Sequence, residues 1–411
     1  MNPYAVVVLT ALLAEHLLHA LADWLNLRSL RPEAPEGLRD IYDAQTYARS
    51  QEYTRTRTRF GIVASTVQLA VVLLFWSQDG FGRLDEVVRG LELGPLATGL
   101  AYLGALGLGW HLVHLPFSWY STFVIEERFG FNKTDARTFW GDQLKGLLLA
   151  AFLGGLLLSA VLWLFRGAGE SAWLWCWGVV AAFLILVQFV APAWIMPLFH
   201  RFEPLEDGEL RAAILDYARS VSFPLEGIYV IDGSRRSTKA NAFFTGFGSN
   251  KRIALFDTLV ARHTTEELVA VVAHEIGHYR RRHILQGMVI GLAHVGLLFW
   301  LLSRFVHSEG LFEAFGVREP SVYVGLVLFG LLYTPIELAL SLALNALSRR
   351  NEYQADAFAV ATTGRARELS DALRKLTAEN FSNLSPHPFY VALNDSHPPL
   401  RERLEAIDAA G

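Results

Sequence analysis

Seven stretches long and apolar enough to cross a bilayer leave this 411-residue chain little choice of architecture. They lie near 4–27, 60–77, 94–119, 146–166, 172–196, 284–306 and 321–346. A spanning helix needs about 20 mostly apolar residues. In hydrocarbon only helices and closed barrels satisfy their own backbone polar groups, so a mostly α fold is expected. Apolar residues make up 52% of the chain and charged residues 18%, which argues against a purely soluble protein. Residues 4–27 mimic a secretory signal around Ala20-Leu21-Ala22. The start Met1-Asn2-Pro3-Tyr4 carries no basic side chain, however, and the apolar run is long, so it reads as a retained span.

The cations between the spans set an orientation. Arg28, Arg31, Arg39, Arg49, Arg55, Arg57 and Arg59 crowd loop 28–59, and Arg128, Lys133, Arg137 and Lys145 lie in loop 120–145. Loop 78–93 has only Arg83 and Arg89, and 167–171 has none. The positive-inside rule then places the N-terminus outside, and seven crossings leave 197–283 and the C-terminus in the cytoplasm. The chain divides accordingly into spans one to five with their loops (1–196), a polar segment (197–283), spans six and seven (284–346) and a C-terminal segment (347–411). Arginine greatly outnumbers lysine, which fits a GC-rich genome and points to a bacterial inner membrane. A net charge of −4 gives no nucleic-acid footprint, and the single cysteine, Cys176, excludes an internal disulfide.

Glu15, His16, His19, His111, His114, His294 and Glu337 lie inside the spans. Ionisable groups in hydrocarbon are costly, so these are expected to face a water-lined interior rather than lipid. A transporter would use the same residues as an ion path.

The polar segment carries His274-Glu275-x-x-His278. On a helix the two histidines share a face one turn apart and reach one metal ion. Glu275 is then placed to take a proton from a metal-held water. Thr264-Thr265-Glu266-Glu267 caps this helix. An amphipathic helix is expected near 207–221 and strands at 227–231, 241–247 and 252–256, the last two joined by the turn Gly248-Ser249-Asn250. An edge strand of such a sheet can hold an extended peptide.

After the last span, Glu352 and Asp356 stand four apart on one helix face. Glu352 can complete a His₂Glu metal site, and Asp356 can accept the outer N–H of a ligand histidine. His283, the rival third ligand, is turned well off the face of His278 and reads as a structural histidine at the membrane boundary. Arg280, Arg281 and Arg282 place the motif at the membrane surface rather than within the bilayer. Downstream, Ser396-His397-Pro398-Pro399-Leu400-Arg401 is expected to present His397 and Arg401 together as donors to an oxyanion. His387 has no such company.

The chain resembles the type I CAAX prenyl endopeptidases, integral-membrane gluzincin metalloproteases. Glu126-Glu127-Arg128-Phe129-Gly130-Phe131-Asn132-Lys133 is similar to the family's E-E-x-x-G-F-N-K signature. Pro197-Leu198-Phe199, Asp232 to Ser237, Asn241 to Phe244, Phe256 to Leu259, Glu352 to Asp356 and Ser396 to Leu400 resemble its further motifs. The resemblance implies a seven-helix barrel around a water-filled chamber, with a small α+β metallopeptidase domain at its cytoplasmic end. It also implies one zinc ion per chain on His274, His278 and Glu352, Glu275 as general base, and Asp356 as support or proton donor. His397 and Arg401 would steady the oxyanion, while Asn241, Ala242 and Phe243 would face the peptide. The substrate would be a peptide or membrane-associated protein cut near its C-terminus, prenylated or not. Lys239-Ala240 depart from the family's more usual His-Ser pair. The rival reading is a non-catalytic transporter or zinc-dependent scaffold, in which Glu275 would be idle.

Overall fold

A computed structural model describes residues 2–247 and 250–411. The first part of the chain is helical: α1 (Pro3–Ser29), α2 (Ala44–Ser77), the short α3 (Gly80–Arg89), α4 (Pro95–Tyr120), α5 (Ala136–Gly167) and α6 (Ala172–Val190). Local chemistry sets their starts. Asn2 accepts from the Tyr4 amide ahead of Pro3, Asp43 from Gln45 and Thr46, and Asp135 from Thr138. Both α4 and α6 end in a π-turn, over Ser121–Glu126 and Ala191–Ile195, each beside a proline that the regular helix cannot carry on its ladder.

The polar segment folds as β1 (Phe202–Pro204), α7 (Glu209–Ser220), β2 (Leu225–Ile231), β3 (Ala242–Phe247), β4 (Asn250–Phe256), α8 (Asp257–Val260) and α9 (Thr265–Arg280). Sheet order is β1-β2-β4-β3, with β2 and β4 parallel and the other pairs antiparallel. The three expected strands form, β1 is added to them, and β3 is an edge. Gly248 and Ser249 of the expected turn lie outside the described residues. The chain then re-enters the apolar layer as α10 (His283–Phe305), α11 (Glu309–Glu313) and α12 (Val322–Thr363), and closes with α13 (Ala366–Glu379), α14 (Pro388–Asn394) and α15 (Leu400–Ala410).

Seven helices are long and apolar enough to span a membrane. Their contacts form a closed ring: α1 on α2, α2 on α4, α4 on α5, α5 on α6, α6 on α10, α10 on α12, and α12 back on α1. The most apolar window of each span is buried to 17% at most, and not at all in α2. α12 also reaches across to α4 and α5, where Tyr102, Leu162 and Tyr323 form a buried cluster at the end away from the polar segment. Helices in a solid bundle would each bury a whole stripe, so beyond that cluster the ring is open at its middle. The ionisable groups pair between ring members. His294 lies 3.1 Å from Glu337, His114 bonds Gln68, His16 bonds Thr66, and His19 bonds Asn394 of the C-terminal segment.

One helix links the membrane layer to the polar one. α12 runs unbroken for 42 residues, carrying Pro335 in its apolar half and Glu352 and Asp356 in its polar half. Outside the membrane layer, α9 is the core of a second body. It packs on α7, α12 and α13, and its Leu268, Val272 and Ile276 are buried in one cluster with Ile214, Leu255, Ala359 and Ile407. Burying each such side chain contributes about 1.5–3 kcal/mol, so α9 is held from several sides at once.

Candidate metal centre

The site forms where α9 crosses α12. The helix starts on a capping box: Thr264 Oγ1 accepts from the Glu267 amide at 3.3 Å, and Glu267 accepts from the Thr264 amide at 3.0 Å. More than three turns on, Gly277 lets the helices approach, since a Cβ there would lie 3.1 Å from the Ala355 backbone. This close crossing brings His278 to Glu352, although 74 positions separate them in sequence (352 − 278).

Three side chains converge. His274 Nε2 and His278 Nε2 are 3.1 Å apart, His278 Nε2 is 3.2 Å from Glu352 Oε1, and His274 Nε2 is 3.6 Å from Glu352 Oε2. Two ligands about 2.0–2.1 Å from a tetrahedral zinc ion stand about 3.3 Å from each other. The three observed separations bracket that edge length.

The protons point the same way. His274 Nδ1 donates to Asp356 Oδ1 at 2.8 Å, which leaves Nε2 as a lone pair. His278 Nδ1 faces His283 Nδ1 at 3.1 Å, and His283 Nε2 faces Gln354 Oε1 at 3.1 Å. The amide oxygen only accepts, so His283 Nε2 donates to it, His278 Nδ1 donates to His283, and His278 Nε2 is also a lone pair. Two lone pairs and a carboxylate thus face one point. Among the described residues Glu352 Oε2 is buried there without a hydrogen bond, with only the Arg403 guanidinium beside it. This donor set fits a divalent cation.

His283 is therefore more than the boundary residue its sequence position suggests. It is buried at the junction of α9 and α10 and fixes the ring of His278, as Asp356 fixes that of His274. It turns off the ligand face, as expected, and meets the other nitrogen of the ligand instead.

Glu275 follows His274 and makes no hydrogen bond among the described residues. Burial pushes its carboxyl above the ordinary range, with His274 and His278 pulling it back. His397 reaches the rim, its Nε2 3.5 Å from Glu352 Oε1, and stays largely exposed. Arg401 does not join it. Its Nε bonds Glu405 at 2.9 Å on the outer face of α15. The reason lies in Pro398-Pro399, which keep His397 outside the helix, so a spacing of four does not put the two residues on one face.

The arginine that enters the site is Arg403. It is buried, bonds both oxygens of Asp356 at 2.8 and 2.6 Å, and lies 3.3 Å from Glu352 Oε2. Sequence reasoning passed over it, yet it left a signal. Arg403 occupies the stripe of Leu404 and Ile407, an apolar face where a charge has no place without a buried partner.

Asn241, Ala242 and Phe243 lead into the edge strand β3, which packs beside α9. The Asn241 carbonyl accepts from the Phe256 amide at 3.1 Å, so this end is pinned to β4. The preceding Lys239 is half-buried and donates to Glu126 Oε2 at 2.8 Å and Tyr53 Oη at 2.6 Å, with its ammonium over the Phe131 ring. Burial lowers its pKa and Glu126 draws it back. The residue that departs from the expected pattern thus ties the Glu126-to-Lys133 loop to the strand.

A metal-competent His₂Glu cluster with a flanking carboxylate, on a helix at the mouth of a ring of apolar spans, defines a membrane-embedded metallopeptidase. Comparison with known proteins gives the family. The model for "CAAX prenyl protease N-terminal, five membrane helices" matches residues 23–201, and that for "Peptidase family M48" matches 204–410. The chain belongs to peptidase family M48, and is a multi-pass membrane protease rather than a transporter or scaffold. It is 39% identical to a probable CAAX prenyl protease 1 of Schizosaccharomyces pombe, over 92% of this chain and 83% of the relative. It is 37% identical to the CAAX prenyl protease 1 of Saccharomyces cerevisiae, over 91% and 88%. The crystal structure of S. mikatae Ste24p superposes with a TM-score of 0.94 at 34% identity, covering 99% of this chain and all of that one.

Proposed function

We propose that the metal is zinc, one ion per chain, held by His274, His278 and Glu352. The enzyme would cut near the C-terminus of membrane-associated proteins, with prenylated CAAX-type tails as the substrate class. The observation that carries this reading is the convergence of two imidazole lone pairs and one carboxylate at tetrahedral-edge distances. Zinc, when bound, supplies Lewis acidity toward the scissile carbonyl and its attacking water.

The chain's own residues do the rest. Glu275, raised by burial and without a hydrogen-bond partner among the described residues, takes the proton of the attacking water and hands it to the leaving amine. Asp356 accepts from His274 and Arg403 at once, so it serves as an ionised anchor that holds the imidazole rather than as a proton donor. His397 at the rim donates to the developing oxyanion, while Arg403 positions the two carboxylates. The substrate backbone extends the sheet along β3 from Asn241 to Phe243. The charge pattern of the loops puts this site on the cytoplasmic face, in a bacterial inner membrane if the arginine-rich composition reflects a bacterial source.

The test is a chelator-reversible cleavage assay on farnesylated and unmodified peptides of one sequence. Zinc should restore activity, and the farnesylated peptide should be cut faster. Equal rates on both peptides would remove the prenyl group from the reading. Glu275→Gln should keep zinc and lose turnover by a factor of 10² or more. A wild-type rate in that variant would take the base role from Glu275.

A further inference from the structure

A groove of about 490 Å³ lies between the site-side ends of α10 and α12, lined by Arg281, Arg282 and Arg350 over Leu285, Val289 and Leu347. Neighbouring arginines show what an employed guanidinium looks like here. Arg280 caps the Val221 and Ser222 carbonyls, and Arg349 bonds the carbonyls of Val391 at 3.1 Å and Asp395 at 2.7 Å. Among the described residues, the guanidinium groups of Arg281, Arg282 and Arg350 make no hydrogen bond or ion pair. Three cations held around one groove without an anion repel one another, and no part of the folding described above requires them there.

The groove's apolar floor continues in one direction only. Leu285, Val289, Leu297 and Trp300 are exposed along one face of α10, while Phe299 and Leu302 are buried in a cluster with Cys176 of α6 and Phe329 and Tyr333 of α12. The exposed stripe is apolar, whereas His294 of the same helix turns to Glu337 of α12, and the apolar face of a span meets lipid while its ionisable groups turn from it. The arginines stand at the end of the stripe, where the span leaves the hydrocarbon. Basic groups between spans at a membrane boundary, above an acyl-chain track, match a phospholipid with a net negative headgroup. We infer that this groove binds an anionic phospholipid, its phosphate among Arg281, Arg282 and Arg350 and one acyl chain along Leu285 and Val289.

The site has a route to the metal centre. His283 lines the groove on one side and bonds His278 on the other. Gln354, which accepts from His283, and Gln286, which bonds Asn351 at 3.1 Å, complete its wall. A headgroup seated here holds the junction of α9 and α10, where Arg282 adopts a left-handed φ of 61°. The lipid thus supports the segment that presents the second histidine. This inference concerns binding and stands whichever peptide the enzyme cuts.

The experiment uses the full chain in detergent, with phosphatidylglycerol and phosphatidylcholine as probes and native mass spectrometry counting bound lipid. The wild type should retain phosphatidylglycerol in preference to phosphatidylcholine. The triple substitution Arg281→Gln, Arg282→Gln, Arg350→Gln should weaken that retention by about 10- to 100-fold at low ionic strength. The matching triple Arg→Lys variant should keep it, which separates charge from misfolding. Equal retention of phosphatidylglycerol by the wild type and the glutamine triple would overturn the inference. So would displacement of the lipid by a peptide with a free C-terminal carboxylate but not by its amide, because the groove would then be a substrate subsite.

Discussion

Gly277→Ala isolates the feature that makes the site possible. A Cβ at this position would meet the Ala355 Cα and carbonyl oxygen at 3.1 Å, where ordinary contact begins at 3.4 Å. Both partners are backbone, so α9 and α12 must part by about 0.3 Å, the difference of those two distances. Ala355 sits between Glu352 and Asp356, and Gly277 sits beside His278, so the separation falls on the ligand set itself. Metal–ligand distances tolerate about 0.2 Å. The strain of about 1–3 kcal/mol from overpacking is offset by about 1 kcal/mol of helix propensity gained on replacing glycine. The variant should therefore unfold within a few degrees of the wild type yet bind zinc about tenfold more weakly, a loss of about 1.4 kcal/mol. Competition of the metal-free protein with a chromophoric zinc chelator in detergent, read beside a thermal melt, measures both. Gly291→Ala in α10 is the control, because its Cβ meets no atom within 4 Å. Wild-type zinc affinity in Gly277→Ala would refute the role given to this crossing.

Three further expectations follow from the site and its surroundings. His283→Phe removes the acceptor for His278 Nδ1 and should lower zinc affinity 10- to 100-fold in the same chelator competition, with an unchanged value dismissing the orienting role. Arg403→Met leaves Asp356 buried without its cationic partner and should cost about 3–5 kcal/mol, seen as a fall in melting temperature even at saturating zinc; a melt matching the wild type would mean the pair is not holding α15. Burial raises the Asp395 carboxyl from its ordinary 3.8 to about 6, so its contribution is present below pH 3.8 and is lost as pH rises through about 6. Asp395→Asn should then raise the melting temperature at pH 8 by more than at pH 5, and a gain independent of pH would contradict the burial argument.

The spans, the H-E-x-x-H pair and the third candidate ligand were legible because each depends on local spacing. Apolar runs of bilayer length, histidines four apart and carboxylates four apart are properties of one helix at a time. Strands 227–231 and 252–256 were legible for the same reason, while β1, three residues of Phe202–Pro204, has too little pattern to stand out before β2 pairs with it.

What the residues could not say alone is which of them meet. Arg401 and Arg403 are two positions apart on the same helix, and only the docking of α15 on α12 decides that Arg403 turns inward to Asp356 while Arg401 turns out to Glu405. The angle between α9 and α10 sends His283 to the back of His278, and the Lys239 pairing with Glu126 joins a loop and a strand more than a hundred residues apart. The chain alone determined a membrane-spanning protein with the parts of a metal site. Tertiary packing decided the rest, because a ligand's orientation depends on the hydrogen bond behind it, and that partner comes from a different helix.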